Sequence, residues 1–251
     1  MGFRYEASCG CNIGKIRKNN EDNFFFDKKF LEQDNTGLCE VAYVDGRLKR
    51  GTCVAIFDGM GGENFGEAAA FAAAKAMQNT KIRPIDYFIQ KRKYLERLAF
   101  SLNDAVLQSM RALYTERMGT TMVALYFSSR AVYVCNIGDS RAYRLRNGEF
   151  LQLSQDHVEK RPDKKKTPLT QHLGIDPEYM LIEPYIAKGD LQKGDQYLLC
   201  SDGLTDMLTD FEISGIMTNS ENVESCAQEL IQAALEHGGR DNITVIVYRI
   251  V

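Results

Sequence analysis

The chain contains 251 residues, of which 44% are hydrophobic and 26% are charged, and its formal net charge is −3. These values are typical of a globular protein, and the mild acidity gives no reason to expect nucleic acid or an anionic membrane as a partner. The sequence has no apolar run long enough to span a membrane, and residues 1–10 lack the apolar centre of a signal peptide.

Short apolar runs near the beginning of the chain predict three strands, at residues 3–11, 24–26 and 54–57, with a polar loop at 12–23. An alanine-rich stretch predicts a helix over residues 63–80, with Glu63 and Glu67 in its first turn. Apolar residues spaced by three and four predict a second helix, from residue 84 or 85 to residue 118. Residues 28–50 predict only strand fragments.

The second half of the chain opens with a predicted β-meander at residues 120–127, 131–137, 140–146 and 149–153, where Asn147-Gly148 is a hairpin turn. After a basic loop at 156–170, the pattern predicts a strand at 196–201, helices at 204–208, 211–217 and 223–237, and a strand at 243–248. Strands joined in hairpins and helices in separate blocks favour antiparallel sheets with helices outside. We therefore expect one α+β domain over residues 1–251.

The seven cysteines are scattered along the chain, and their number is odd. Several lie inside strand-like runs, and no histidine accompanies them at the spacing of a zinc site. This usage favours buried, reduced thiols, so we expect a cytoplasmic protein.

Four aspartates stand at the ends of strand-like runs, each beside or near glycine: Asp58, Asp139, Asp202 and Asp241. A single Asp-Gly at such a place is usually a turn. Because the same arrangement occurs four times, we expect the four carboxylates to line one pocket. Carboxylate oxygens without histidine or thiolate partners suit magnesium, manganese or calcium.

Other residues near these aspartates add to the predicted pocket. Asp58 is the candidate to bridge two ions, since the carbonyl of Gly59 behind it could ligate the second. Glu21 and Asp22 are further acidic candidates, and Arg17 offers a planar fork for a phosphate oxygen. A metal pair with an arginine is suited to hydrolysis of a phosphate ester.

Six segments of the chain carry these residues: Arg17-x-x-Asn20-Glu21-Asp22, residues 54–62 with Asp58-Gly59-Met60-Gly61-Gly62, Gly119-Thr120-Thr121, residues 136–143, residues 199–204 and residues 239–244. In this order the segments resemble those of the metal-dependent PPM-type protein phosphatases, the type 2C serine/threonine phosphatases, and above all the compact bacterial members. The resemblance implies a four-layer α/β/β/α sandwich, with two antiparallel sheets flanked by helices and the metal ions at one end.

The resemblance also implies roles for the acidic residues. Asp58 bridges two ions, Mn²⁺ or Mg²⁺, with the Gly59 carbonyl and Glu21 on the second ion. Asp202 and Asp241 hold the first ion, Asp22 acts through water or from behind the ligands, and Asp139 helps to bind a third, weaker ion. Arg17 binds the substrate phosphate, and a water that bridges the two ions attacks the phosphorus directly, without a phosphoenzyme.

Two positions depart from the family pattern. Many eukaryotic relatives have histidine, the proposed general acid, where this chain has Met60, which cannot donate a proton. The flap before Leu169 is short, at about residues 158–167, and contains Lys160, Arg161, Lys164, Lys165 and Lys166. Such a flap is either a basic rim that attracts phosphorylated segments or a solvated loop. The three histidines, His157, His172 and His237, are interpreted as structural or surface residues.

The sequence thus predicts a monomeric protein serine/threonine phosphatase that acts on phosphorylated proteins, the targets of a serine/threonine kinase. One alternative is a phosphatase dedicated to a single partner in a partner-switching cascade. Another is a pseudo-phosphatase that binds phosphoproteins or metal without turnover. A divalent-metal nuclease or nucleotidase is disfavoured by the mild acidity and by the lack of a basic groove with aromatic residues.

Overall fold

The computed structural model describes residues 2–49, 51–60, 65–80, 91–128, 130–159 and 168–251. Several predicted features lie outside these residues: Gly61, Gly62, Glu63, the start of the second helix, and the five basic residues of the flap.

The described residues form twelve strands and five helices. The strands are β1 (Arg4–Asn12), β2 (Asp22–Phe25), β3 (Ala42–Arg47), β4 (Cys53–Met60), β5 (Gly119–Thr120), β6 (Met122–Phe127), β7 (Ala131–Ile137), β8 (Arg141–Arg146), β9 (Glu149–Gln152), β10 (Tyr185–Asp190), β11 (Gln196–Cys200) and β12 (Ile243–Ile250). The helices are α1 (Gly66–Asn79), α2 (Lys91–Ala112), α3 (Asp202–Thr205), α4 (Asp210–Asn219) and α5 (Val223–Glu236).

The strands form two antiparallel sheets. Sheet A has the order β3-β1-β12-β11-β8-β9, and sheet B has the order β10-β7-β6-β4-β2, with β5 paired to the end of β4. Among the described strands, only β6-β7 and β8-β9 are neighbours joined by short hairpins, and the other neighbouring strands come from distant parts of the chain. The predicted four-strand meander is therefore wrong in part, because the chain crosses from sheet B to sheet A between β7 and β8. The antiparallel α+β architecture predicted from the sequence is confirmed.

Three apolar cores separate four layers, and alternation along the strands explains them. In β12, Ile246 and Tyr248 point into the core between the two sheets, whereas Val245 and Val247 pack with the helices that cover sheet A. Both sides of this strand are therefore buried, which accounts for its nearly continuous apolar sequence. The third core lies between sheet B and helices α1 and α2, where the small alanines of α1 allow close packing.

Some predicted boundaries are wrong. The second helix ends at Ala112, not at residue 118, because Tyr114 adopts a left-handed backbone with φ of 52°. Strand β10 was not predicted at all, since it is a half-exposed edge strand without clear apolar alternation. The predicted turn at Asn147-Gly148 is confirmed, because both residues have the positive φ of a type I′ hairpin.

All seven cysteines are described, and each is a free thiol; only Cys39 is exposed. Within the described ranges, no helix combines the length and the apolar character needed to cross a membrane.

Candidate active site

The aspartates predicted from the strand ends meet at one end of the sandwich. In sheet B, Asp22 on β2 lies directly opposite Asp58 on β4. In sheet A, Asp202 follows β11 and Asp241 precedes the neighbouring strand β12. The pKa of Asp58 is raised by the negative charges of four neighbours, which shows that they lie close to it: Asp202, Asp22, Asp139 and Asp241.

The backbone of Asp58 is fixed by the two threonines of the Gly-Thr-Thr segment. Its N–H donates to Oγ1 of Thr121 at 3.1 Å, and its carbonyl accepts from the Thr121 N–H at 2.8 Å. Oγ1 of Thr120 donates to the same carbonyl at 2.9 Å. This bracing holds the Asp58 side chain at the end of its strand without any contribution from the carboxylate itself.

Burial and neighbouring charge raise the pKa of several carboxyls in the cluster. The pKa of Asp58 lies well above its usual value, first because of burial and then because of the charge of Asp202. The same two causes raise the pKa of Asp139 to about 7. Burial, above all, also raises the pKa of Glu21, although Arg17 opposes it. The cluster therefore favours protonated carboxyls unless a cation compensates their charge.

Asp22 is 2% exposed and connects the two sheets. Its Oδ2 accepts hydrogen bonds from Oγ of Ser201 at 2.7 Å and from Oγ1 of Thr244 at 2.6 Å, both in sheet A or adjoining it. Burial raises its pKa to about 7 even though both hydroxyls favour the charged form. Because these hydroxyls occupy Oδ2, the structure favours a supporting role for Asp22 behind the other carboxylates.

Arg17 contacts the carboxylate cluster directly. Its Nη2 donates to Oδ2 of Asp241 at 2.7 Å, and its side chain is 44% exposed. The guanidinium can therefore face an incoming anion from solvent while it touches the cluster. Sequence analysis predicted that Arg17 belongs to this pocket, but it did not predict the pairing with Asp241.

Asn242 organises the loop that carries Arg17 and Glu21, and sequence analysis assigned it no role. Its Oδ1 accepts the N–H of Glu21 at 2.8 Å, and its Nδ2 donates to the carbonyls of Ile13 and Asn19 at 2.9 and 3.0 Å. In the sequence, the only sign of this role is that the asparagine directly follows a candidate ligand. The bonds themselves become visible only when residues more than 200 positions apart meet.

Glycines at the site allow close approach of the backbone. A Cβ on Gly59 would collide with the carbonyl of Gly66, at the start of α1, and the Gly59 N–H donates to the carbonyl of Glu21 at 3.0 Å. A Cβ on Gly66 would lie 2.8 Å from the Glu21 carboxyl group. The carboxylate of Glu21 is therefore packed against the amino-terminal end of α1, near the Gly59 carbonyl.

A prediction follows for Gly203, whose added Cβ would collide with the carbonyl of Asn242. We expect Gly203→Ala to lower the free energy of unfolding by about 1–3 kcal/mol, because the backbone would have to move. Gly215 in α4 is the matched control, since a Cβ there meets nothing within 4 Å. Gly215→Ala should stabilise the protein by about 0.5–1 kcal/mol in urea unfolding. Equal effects of the two substitutions would contradict the close-approach argument.

The donor chemistry of the pocket fits hard divalent cations. Its candidate ligands are carboxylate and carbonyl oxygens. The carboxylates repel one another and so raise one another's pKa, and a divalent cation would relieve this repulsion. In the part of the chain that the structure describes, no three His, Cys, Asp or Glu side chains already converge with ligand geometry. Protein donors hold some of these carboxylates instead, as Arg17 holds Asp241.

Comparison with known proteins extends these observations. A family model described as protein phosphatase 2C matches residues 30–238. The serine/threonine protein phosphatase PstP of Mycobacterium tuberculosis is 33% identical over 262 residues, which cover 99% of this chain but 45% of PstP. This chain thus spans less than half the length of that relative. The serine/threonine phosphatase stp of Listeria monocytogenes is 29% identical over 93% of this chain and 91% of its own length.

Solved structures show the same likeness across the fold. The crystal structure of the M. tuberculosis phosphatase PstP has a TM-score of 0.79 and 27% identity, and it covers 98% of both chains. The catalytic domain of PstP in complex with two manganese ions has a TM-score of 0.77 and 27% identity over 99% of both chains. Because the family model spans most of the sequence and the architecture agrees, this chain belongs to the protein phosphatase 2C family.

Proposed function

We propose that this chain is a metal-dependent protein serine/threonine phosphatase whose residues 1–251 form one catalytic domain. The observation that carries the proposal is the convergence of Asp58 with four other aspartates, whose charges raise its pKa together with burial. Such a cluster is unfavourable by itself and favourable around divalent cations. Membership of the protein phosphatase 2C family supports the same chemistry.

The proposal assigns the cation-binding role to specific oxygens. Asp58, Asp202 and Asp241, with the Gly59 carbonyl and Glu21, are the proposed ligands of two Mn²⁺ or Mg²⁺ ions. Asp139 is the proposed ligand of a third ion, and Asp22 supports the pair through water. When bound, such ions neutralise phosphate charge and lower the pKa of a water molecule so that it can attack phosphorus.

The remaining residues bind and orient the substrate in this proposal. Arg17 presents its guanidinium at the solvent-exposed side of the cluster, where it can donate to a phosphate oxygen. Asn242 keeps Arg17 and Glu21 in place by fixing their loop. Met60 has no proton to give, so the leaving serine or threonine oxygen takes its proton from metal-bound water or from another donor.

The proposal is tested by hydrolysis of a phosphothreonine peptide with Mn²⁺, with Mg²⁺ and with EDTA. We expect phosphate release with either ion and none with EDTA, since the proposed attack depends on a metal-activated water. A peptide of the same sequence with phosphotyrosine serves as the control for substrate class and should be hydrolysed more slowly. Absence of turnover with both ions would favour the pseudo-phosphatase or a phosphatase that requires its single partner.

The proposed substrates are phosphorylated proteins. The names of the relatives PstP and stp, which are serine/threonine phosphatases, support this proposal. We further propose that the protein acts as a monomer on the targets of a serine/threonine kinase, in the cytoplasm. The seven free thiols support that compartment, because cysteines persist unpaired under reducing conditions.

A further inference from the structure

The segment 154–157 lies against the strand ends that flank Asp139, and each of its residues makes a contact there. Oγ of Ser154 accepts the Ala142 N–H at 3.0 Å, and the carbonyl of Gln155 accepts from Nδ2 of Asn136 at 2.8 Å. Asp156 accepts hydrogen bonds from both Nε and Nη2 of the Arg141 guanidinium. The segment is therefore fixed along its length to residues 136–142.

His157 makes the contact that is nearest in sequence to Asp139. The backbone N–H of His157 donates to the carbonyl of Gly138 at 3.0 Å. The ring nitrogen Nδ1 of His157 accepts the backbone N–H of Gly138 at 3.1 Å. A backbone N–H can only donate, so Nδ1 must carry the lone pair and the ring is neutral with its proton on Nε2. Burial lowers the pKa of His157, which agrees with a neutral ring.

Gly138 is constrained from the opposite side by Thr121. Its φ is +100°, and a Cβ there would lie 2.6 Å from Cγ2 of Thr121. Thr121 also bonds to Oγ of Ser140 at 2.7 Å and accepts the N–H of Asp58. The loop that carries Asp139 is thus held between Thr121, which fixes Asp58, and His157, which fixes the Gly138 amide.

We propose that His157 is a positioning residue that sets the orientation of Asp139 through the backbone of Gly138. This inference rests on the proposed role of Asp139 as a ligand of the third ion. Without the acceptor at Nδ1, the Gly138 N–H loses its partner, and one of the hydrogen bonds that restrain the Asp139 loop is removed. The effect falls on the weakest ion, because Asp58 is held by Thr120 and Thr121.

Two nearly isosteric substitutions test the hydrogen bond. Asparagine places an oxygen close to the position of Nδ1, whereas leucine has the same branched shape without an acceptor. We expect His157→Leu to weaken the weakest Mn²⁺ site by about tenfold or more, as loss of an outer partner of a ligand does. His157→Asn should retain parental affinity. Mn²⁺ binding is measured without substrate, from the electron paramagnetic resonance signal of the unbound ion.

Asp139→Asn and His237→Leu complete the experiment. His237 contacts the Ala233 carbonyl at the end of α5, so its replacement should leave Mn²⁺ binding unchanged. If Asp139→Asn does not alter Mn²⁺ binding, the proposed ligand role of Asp139 is wrong, and the role of His157 with it. If Asp139→Asn weakens Mn²⁺ binding while His157→Leu does not, only the His157 proposal is overturned. The same conclusion follows if His157→Asn and His157→Leu weaken Mn²⁺ binding equally.

A measurement on the unaltered protein guards against misfolding of the leucine variant. Nitrogen-15 NMR of the histidine rings should show His157 with an unprotonated Nδ1 at neutral pH. A proton on Nδ1 would overturn the proposal, because the ring could then not accept the Gly138 N–H.

Discussion

Replacing Asp58 with asparagine should lower the turnover of a phosphothreonine peptide by about a thousandfold or more. Metal ions supply several kcal/mol of transition-state stabilisation, and each ~1.4 kcal/mol is a factor of ten in rate. Asparagine keeps the shape of the side chain but removes the charge that is proposed to bridge two ions. The backbone bonds to Thr120 and Thr121 do not involve the carboxylate, so the strand should stay in place.

The same variant should be more stable than the parent when metal is removed. Asparagine takes away a buried carboxyl whose pKa is already raised by burial and by neighbouring charges. Asp45→Asn is the matched control, because this side chain on β3 is 56% exposed. It should change neither the rate nor the unfolding midpoint. An Asp58→Asn variant that keeps a tenth of parental turnover would exclude the bridging role.

The metal-free protein should lose stability as the pH rises from 5 to 8. Asp22 has a folded pKa of about 7, against an ordinary value of 3.8. Because the folded state binds this proton more tightly, the stabilisation is complete below the ordinary pKa and is lost as the pH rises through 7. Since each pKa unit corresponds to about 1.4 kcal/mol, the free energy of unfolding should fall by about 2 kcal/mol or more.

Urea unfolding in EDTA at pH 5, 6.5 and 8 measures this effect. The lowered pKa of His157 acts in the opposite direction, since an unfolded histidine takes up a proton more readily. Asp22→Asn isolates the contribution of this carboxyl, because it should reduce the pH dependence while the raised pKa values of Asp58 and Asp139 maintain the remainder. Excess Mn²⁺ should raise stability most at pH 8, where the carboxylates are charged. Stability that rises between pH 5 and 8 in EDTA would show that the pocket tolerates its charges without a cation.

The fold was predictable where the apolar pattern is strong and local. The last helix was predicted at residues 223–237 and observed as Val223–Glu236. The second helix was predicted too long because Leu113 continues the apolar spacing, whereas the backbone turns at Tyr114. Strand β10 could not be recognised because it pairs with only one neighbouring strand, β7, and its partly exposed, glycine-containing sequence lacks a clear apolar pattern.

The site was predictable to the extent that its residues stand at strand ends. Asp58, Asp139, Asp202 and Asp241 share that position, and their charges act on a common pocket in the structure. The role of Asn242 was not predictable, because its partners are created by packing of distant segments. His157 was interpreted as structural or surface, since a lone histidine gives no sign of the backbone amide that it accepts.

The separation in sequence between the two sides of the pocket has a consequence for biosynthesis. Arg17 and Asp241 are 224 positions apart, and Asp22 and Thr244 are 222 positions apart. During translation, Arg17 and Asp22 therefore cannot form these contacts until residues 241–244 have left the ribosome. Because such distant contacts form late in folding, we expect the acidic pocket to close only when β12 enters sheet A between β1 and β11. A nascent chain that lacks this strand has no complete pocket with which to capture a cation.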